Sequence, residues 1–118
     1  TLSSDDNEYV DVYEGAPYKR DSSYHQGITW PWLLGLYYDA IKNIIKIEKD
    51  NGKREMLEKK LSKLVEKTKN TFKTEMFERS SIGTISEIYD SKEPYEERGA
   101  FAQAWSVAEI FRIVSNRS

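Results

Sequence analysis

The chain has 118 residues, of which 38% are hydrophobic, 32% charged and 13% aromatic, with a formal net charge of −2. That length holds one domain, and the ring content is too high for a disordered chain. The near-neutral charge sets up no global field for nucleic acid or anionic lipid, no run of about 18 apolar residues could span a membrane, and with no cysteine and one histidine, His25, no metal or other cofactor is expected.

Residues 1–29 read as an irregular arm. Asp5, Asp6, Asn7, Gly15, Pro17, Ser22, Ser23 and Gly27 punctuate it without a sustained period. Its start has no signal-peptide pattern and no initiating Met, so a cytoplasmic piece of a longer protein is expected. The arm leads into "YHQGITWPW", residues 24–32, which carries His25 and two of the three tryptophans. Pro31 suits a helix start, because the amide it lacks would be unpaired there anyway. From 31 to about 47 the apolar positions cover most of the helical circumference, which predicts a helix buried on several sides.

"KDNGK" predicts a turn. A second helix is expected from 53 to 72, where Leu57, Leu61, Leu64, Val65, Thr68 and Phe72 form one stripe and Lys and Glu face water. Residues 73–99 show no period, and a loop of that length is uncommon unless it has a task. A third helix, expected from 100 to 114, has only Gln103, Ser106, Glu109 and Arg112 to interrupt its apolar surface. The pattern is inner, outer, inner. Two helices apolar on most sides find too little cover in a three-helix piece, so the chain is expected to pack against more protein or against copies of itself.

Both inner helices follow irregular segments. If they lie side by side and point the same way, "YHQGITW" and "GTISEIYD…EERGAF" meet at one end, where free helix N–H groups and rings could surround a cavity. Trp30 and Trp32 read first as core and second as a stacking floor, Trp105 as core, and His25 as a hydrogen-bonded structural residue. Glu87, flanked by Ile85, Ile88 and Tyr89, is the acid whose surroundings suit proton transfer, with Asp90 its nearest competitor. Nothing resembles a phosphate loop, a Ser-His-Asp arrangement or a nucleic-acid motif.

Taken in order, "LSSDDNEY", "YEG", "RDSSYHQGITWPWLLG", "GTISEIYDS" and "RGAFAQAWSVAEIFR" resemble the C-terminal region of glycogen debranching enzymes, the amylo-α-1,6-glucosidase part of the bacterial and archaeal type. The resemblance spans the chain and is weakest over the second helix. It implies an all-α fold, about the last quarter of an (α/α)₆ six-hairpin glycosidase barrel, with residues 30–118 supplying helices and an active-site loop. It implies hydrolysis of α-1,6-linked glucose stubs on glycogen or a branched dextrin, with inversion. Glu87 matches the position of the general base. The general acid belongs to a Trp-Met-Asp type motif upstream, which is not in this chain, so the chain alone is expected to be inactive. Tyr24, His25, Gln26, Trp30 and Trp32 become expected pocket lining, with Arg98 and Gln103 as further sugar-hydroxyl contacts. The chain departs from the family where Ile28-Thr29 replaces Thr-Val, where Leu36-Tyr37 replaces Pro-Phe, and at Ala100, where Cys is common. The alternatives are a non-catalytic α-glucan-binding module and a helical assembly piece.

Overall fold

The computed structural model describes residues 1–79 and 82–115. The expected helical part, 30–118, therefore includes residues 80–81 and 116–118, which lie outside the described residues. Four helices, α1 (Pro17–Ser23), α2 (Leu33–Ile47), α3 (Asn51–Glu78) and α4 (Ala104–Ser115), account for most of the regular structure. Two two-residue strands, β1 (Ile88–Tyr89) and β2 (Glu97–Arg98), pair antiparallel between α3 and α4. This is the expected all-α architecture, consistent with part of a glycosidase barrel. Among the described residues no helix is long and apolar enough to cross a membrane.

The arm is less irregular than expected, because Pro17 at the first helical position starts the seven-residue α1. Conversely, α2 begins two residues after Pro31. Residues 30–35 first form a tight turn in which Leu33, Leu34 and Gly35 donate to the carbonyls three residues back. Asp50 caps α3 by accepting from the Lys53 N–H at 2.8 Å. That helix runs on to Glu78, six residues past Phe72, because Met76 still packs on the core. Helix α4 starts at Ala104 rather than 100, since Ala100 is held as backbone partner of Glu87, whose N–H donates to the Ala100 carbonyl at 2.9 Å.

The three long helices all touch one another. Tyr38 of α2, Phe72 of α3, and Ile110 and Ile113 of α4 meet Ile85 and Tyr89 in the main core. Full burial of each aliphatic side chain there contributes about 1.5–3 kcal/mol. Trp32 stacks on Trp105 and Asp39 is bonded by Arg112, and both pairs are 73 positions apart. A constant offset means that α2 and α4 run parallel, the condition under which the two irregular segments before them meet at one end. Gly35 permits the seam between them, because a Cβ there would lie 1.6 Å from Glu109 Oε2.

Each inner helix has a bare apolar stripe. Leu36, Ala40, Ile44 and Ile47 are exposed along α2, and Ala104, Ala108 and Phe111 along α4. The spacings, i, i+4, i+8 and i+11 on one helix and i, i+4 and i+7 on the other, put each set on a single face.

Candidate functional site

The strand β1 assembles the site. One edge pairs with β2, and the other bridges to the end of the arm, where Thr29 and Tyr89 exchange both backbone hydrogen bonds at 2.9 Å. That bridge brings Trp30 next to Ile88, and Ile28, Trp30 and Ile88 form a second buried cluster under the rings. Ser91 and Asp90 extend the attachment. The Ser91 N–H donates to the Asp11 carbonyl at 2.8 Å, and Asp90 Oδ1 accepts from the Tyr13 N–H at 2.8 Å.

At the N-terminal ends of α2 and α4 these elements enclose a cavity of about 350 Å³, lined by Thr1, Tyr24, His25, Trp30, Trp32, Leu33, Glu87 and Trp105. Its walls are mostly rings. His25 stacks on Trp30 at 5.2 Å with the planes only 8° apart, and Tyr24 meets Trp30 edge-on at 4.6 Å. Trp30 is fixed further by its indole N–H, which donates to the Tyr24 carbonyl at 3.1 Å. Trp32 and Trp105 stack at 5.3 Å.

Glu87 is the one carboxylate in this lining among the described residues. Its orientation is set by three donors. The Tyr24 hydroxyl and the Gln103 side-chain amide, the latter at 3.4 Å, donate to Oε1, and the Ala100 N–H donates to Oε2 at 3.0 Å. Gly99 makes this clamp possible. It has a positive φ of 68°, and a Cβ on it would lie 2.4 Å from Glu87 Oε2. Burial, reinforced by the bond to Glu87, raises the Tyr24 phenol above its ordinary value, so Tyr24 stays a donor at neutral pH.

Of the residues singled out from sequence, the fold gathers Glu87, Tyr24, His25, Trp30 and Trp32 at the cavity. The other three lie elsewhere. Gln103 reaches the cavity only through Glu87. Gln26 is outside the lining, and its main chain accepts from the Val10 N–H and donates to the Ser23 carbonyl. Arg98 is outside the lining and donates twice to Asp90 Oδ2, at 3.0 and 2.8 Å. Arg98 pairs with Ile88 across the two strands, Asp90 follows two residues after Ile88 and so falls on the same side, and its buried charge is compensated by the guanidinium. Asp90 is thereby accounted for as the anchor of Arg98 and Tyr13, not as a cavity acid.

Trp105 corrects the sequence reading. Expected in the core, it is 47% exposed and lines the cavity. The inward face of α4 is the Ser106, Ile110, Ile113 set, and Trp105 belongs with Glu109 and Arg112 on the i, i+4, i+7 face that meets α2. The polar spacing of Glu109 and Arg112 was the available signal.

A ring-walled cavity holding one fixed carboxylate suits an uncharged, hydroxyl-rich ligand with apolar ring faces, the general description of a carbohydrate site. The chain matches the amylo-alpha-1,6-glucosidase family over residues 1–112, and it belongs to that family. No curated protein and no solved structure matches it significantly.

Proposed function

We propose that the chain forms the base-bearing side of an α-1,6-glucosidase site in a glycogen-debranching protein. The observation that carries this reading is a single carboxylate, Glu87, clamped by three donors in a cavity otherwise walled by rings. Glu87 takes a proton from a water molecule as that water attacks the anomeric carbon of the glucose stub. The bond from that carbon to the leaving glucan oxygen breaks, and the oxygen takes its proton from a general acid. Inversion places the two carboxyl groups about 6.5–9.5 Å apart, with the water between base and sugar. The resemblance puts the acid upstream of this chain, and the presence of only one carboxylate in the described lining supports that division of labour.

In this reading the substrate is glycogen or another branched α-glucan. Trp32 takes an apolar face of the glucosyl unit beside the buried Trp30, and His25, stacked on Trp30, bonds a hydroxyl. Tyr24 and Gln103 act on Glu87, and Arg98 acts on Asp90. The bare stripes of α2 and α4 dock on the upstream helices of an (α/α)₆ barrel, and the isolated chain self-associates through them. No nucleic acid or membrane partner is involved, and the setting is cytoplasmic.

The test is glucose release from a branched dextrin. The isolated chain should release none. Joined to the upstream barrel it should be active, and Glu87→Gln should lower that rate by about 10²–10⁴-fold. A near-normal rate in the variant removes Glu87 from the base role. The exposed stripes also favour a second reading, an assembly piece without catalysis. Absence of glucose release by the joined protein, with self-association of the isolated chain, would select it.

A further inference from the structure

We propose that Trp105 is a sugar-contacting residue of this cavity, a stacking face that selects neutral pyranosides. The inference rests on the carbohydrate reading of the site and adds to it a residue that the sequence pattern had put in the core. Three observations carry it. Trp105 is 47% exposed although it stands on a helix with a well-formed buried face. It shares the cavity wall with Glu87. Its ring is also held in place, stacked on Trp32 with the planes 25° apart and edge-on to Trp30 at 6.3 Å.

A large indole left half bare loses the transfer free energy that burial would give it. Its position explains the exposure. Trp105 and Trp32 are the first pair along the parallel seam of α2 and α4, and further along the seam are Gly35 against Glu109 and Asp39 against Arg112. The seam is polar below and aromatic at the cavity. A ring pinned on one side and bare on the other is pre-organised, so a ligand that stacks on it orders little side-chain freedom. The apolar face of a pyranose, carried by its C–H groups, is a suitable partner for an indole, and the neighbouring carboxylate serves its hydroxyls. An anionic sugar would bring a second negative charge close to Glu87, and like charges brought together at an interface repel.

The experiment titrates the 118-residue chain with isomaltose, and in parallel with glucuronate, while recording indole N–H signals by NMR. The expected result is a shift of the Trp105 signal and contacts from sugar C–H protons to the Trp105 ring. Affinity should fall about tenfold in Trp105→Ala. Trp105→Phe should stay within about threefold. Glucuronate should bind more weakly than isomaltose. Isomaltose binding with the Trp105 signal unmoved, or with Trp105→Ala unimpaired, overturns this inference and leaves the carbohydrate reading standing. A chain that binds neither sugar overturns both. The wild-type NMR contacts decide the matter even if Trp105→Ala fails to fold.

Discussion

The Tyr24 hydroxyl donates to Glu87 Oε1 across 63 positions of sequence. The pairing joins the end of the arm to the loop before β1, and the Thr29–Tyr89 bridge fixes the distance between them. A phenol kept protonated by burial is a permanent donor, so it orients the carboxylate without competing for the proton that a base must take. Tyr24→Phe removes the donor and keeps the ring that packs on Trp30 and His25. In the protein that contains both carboxyl groups, kcat should fall about 10–100-fold with KM nearly unchanged, because the lost interaction aligns the base and does not hold the sugar. A rise in KM at constant kcat would make Tyr24 a substrate-binding residue instead.

Gly99→Ala attacks the same carboxylate from its other oxygen. A Cβ at this position meets Glu87 Oε2 at 2.4 Å and Ile88 Cγ1 at 3.1 Å, on a backbone with φ of 68°. The positive φ alone costs a non-glycine residue about 1–2 kcal/mol. The collision displaces Glu87 from the Ala100 N–H as well. Urea unfolding should show a loss of about 2–3 kcal/mol, and activity should fall by more than Tyr24→Phe, since all three donors lose their geometry. Wild-type activity in this variant would mean that the clamp on Oε2 has no part in the chemistry.

Arg98→Ala separates a role in the fold from a role at the sugar. Asp90 is only 4% exposed and holds the Arg98 guanidinium above its ordinary value, chiefly through their hydrogen bond. Removing the cation leaves a buried carboxylate with the Tyr13 N–H as its remaining partner among the described residues. Loss of one member of a fully buried pair costs about 3–5 kcal/mol. Arg98 is 31% exposed, so solvent reduces the expected loss to about 2–3 kcal/mol. Sugar affinity, measured well below the melting temperature, should be unchanged. A weakened affinity with normal stability would return Arg98 to the sugar site.

The sequence carried the inner helices, the outer stripe and five residues of the cavity lining, Tyr24, His25, Trp30, Trp32 and Glu87, because each of these is a local pattern or an ordered block. Tyr38 and Ile41 are buried and Leu36 and Ile44 are bare on the same helix, so an all-round apolar pattern identified an inner helix without saying which side this chain covers. What was not legible was long-range pairing. The partner of Arg98 follows from strand register, and the start of α4 is set by the Ala100 carbonyl, which is committed to Glu87. Trp105 was misread for the same reason. Its composition fits a core, and only the α2–α4 seam puts it at the cavity.

Glu75 supplies a pH dependence whose sign can be worked out. It stands on α3 with a side chain 11% exposed, bonded by Arg79 at 3.2 Å and in contact with the Glu97 carboxyl. Arg79 also reaches Glu97 at 3.5 Å. Burial raises the Glu75 carboxyl above the ordinary carboxylate range. Arg79 opposes the shift and Glu97 adds to it. The nearby Tyr89 phenol is pushed up to about 12, mainly by burial and then by the Glu75 charge. A raised carboxyl means that the folded state binds the proton first as pH falls from neutral towards the ordinary value of 4.5. Ionised Glu75 therefore lowers stability at neutral pH, and the penalty is relieved as pH falls through the folded value. Asp39 is lowered by its bond to Arg112, so its contribution is intact above 3.8 and is lost only at lower pH, outside this window. Glu75→Gln removes the charge and offers Glu97 an amide donor. By urea unfolding, the variant should be more stable than the wild type by about 1 kcal/mol near pH 7.5, with the difference shrinking as pH falls towards 4.5. A difference that stays constant between those two pH values would mean that Glu75 is ionised throughout and that Arg79 fully compensates its burial.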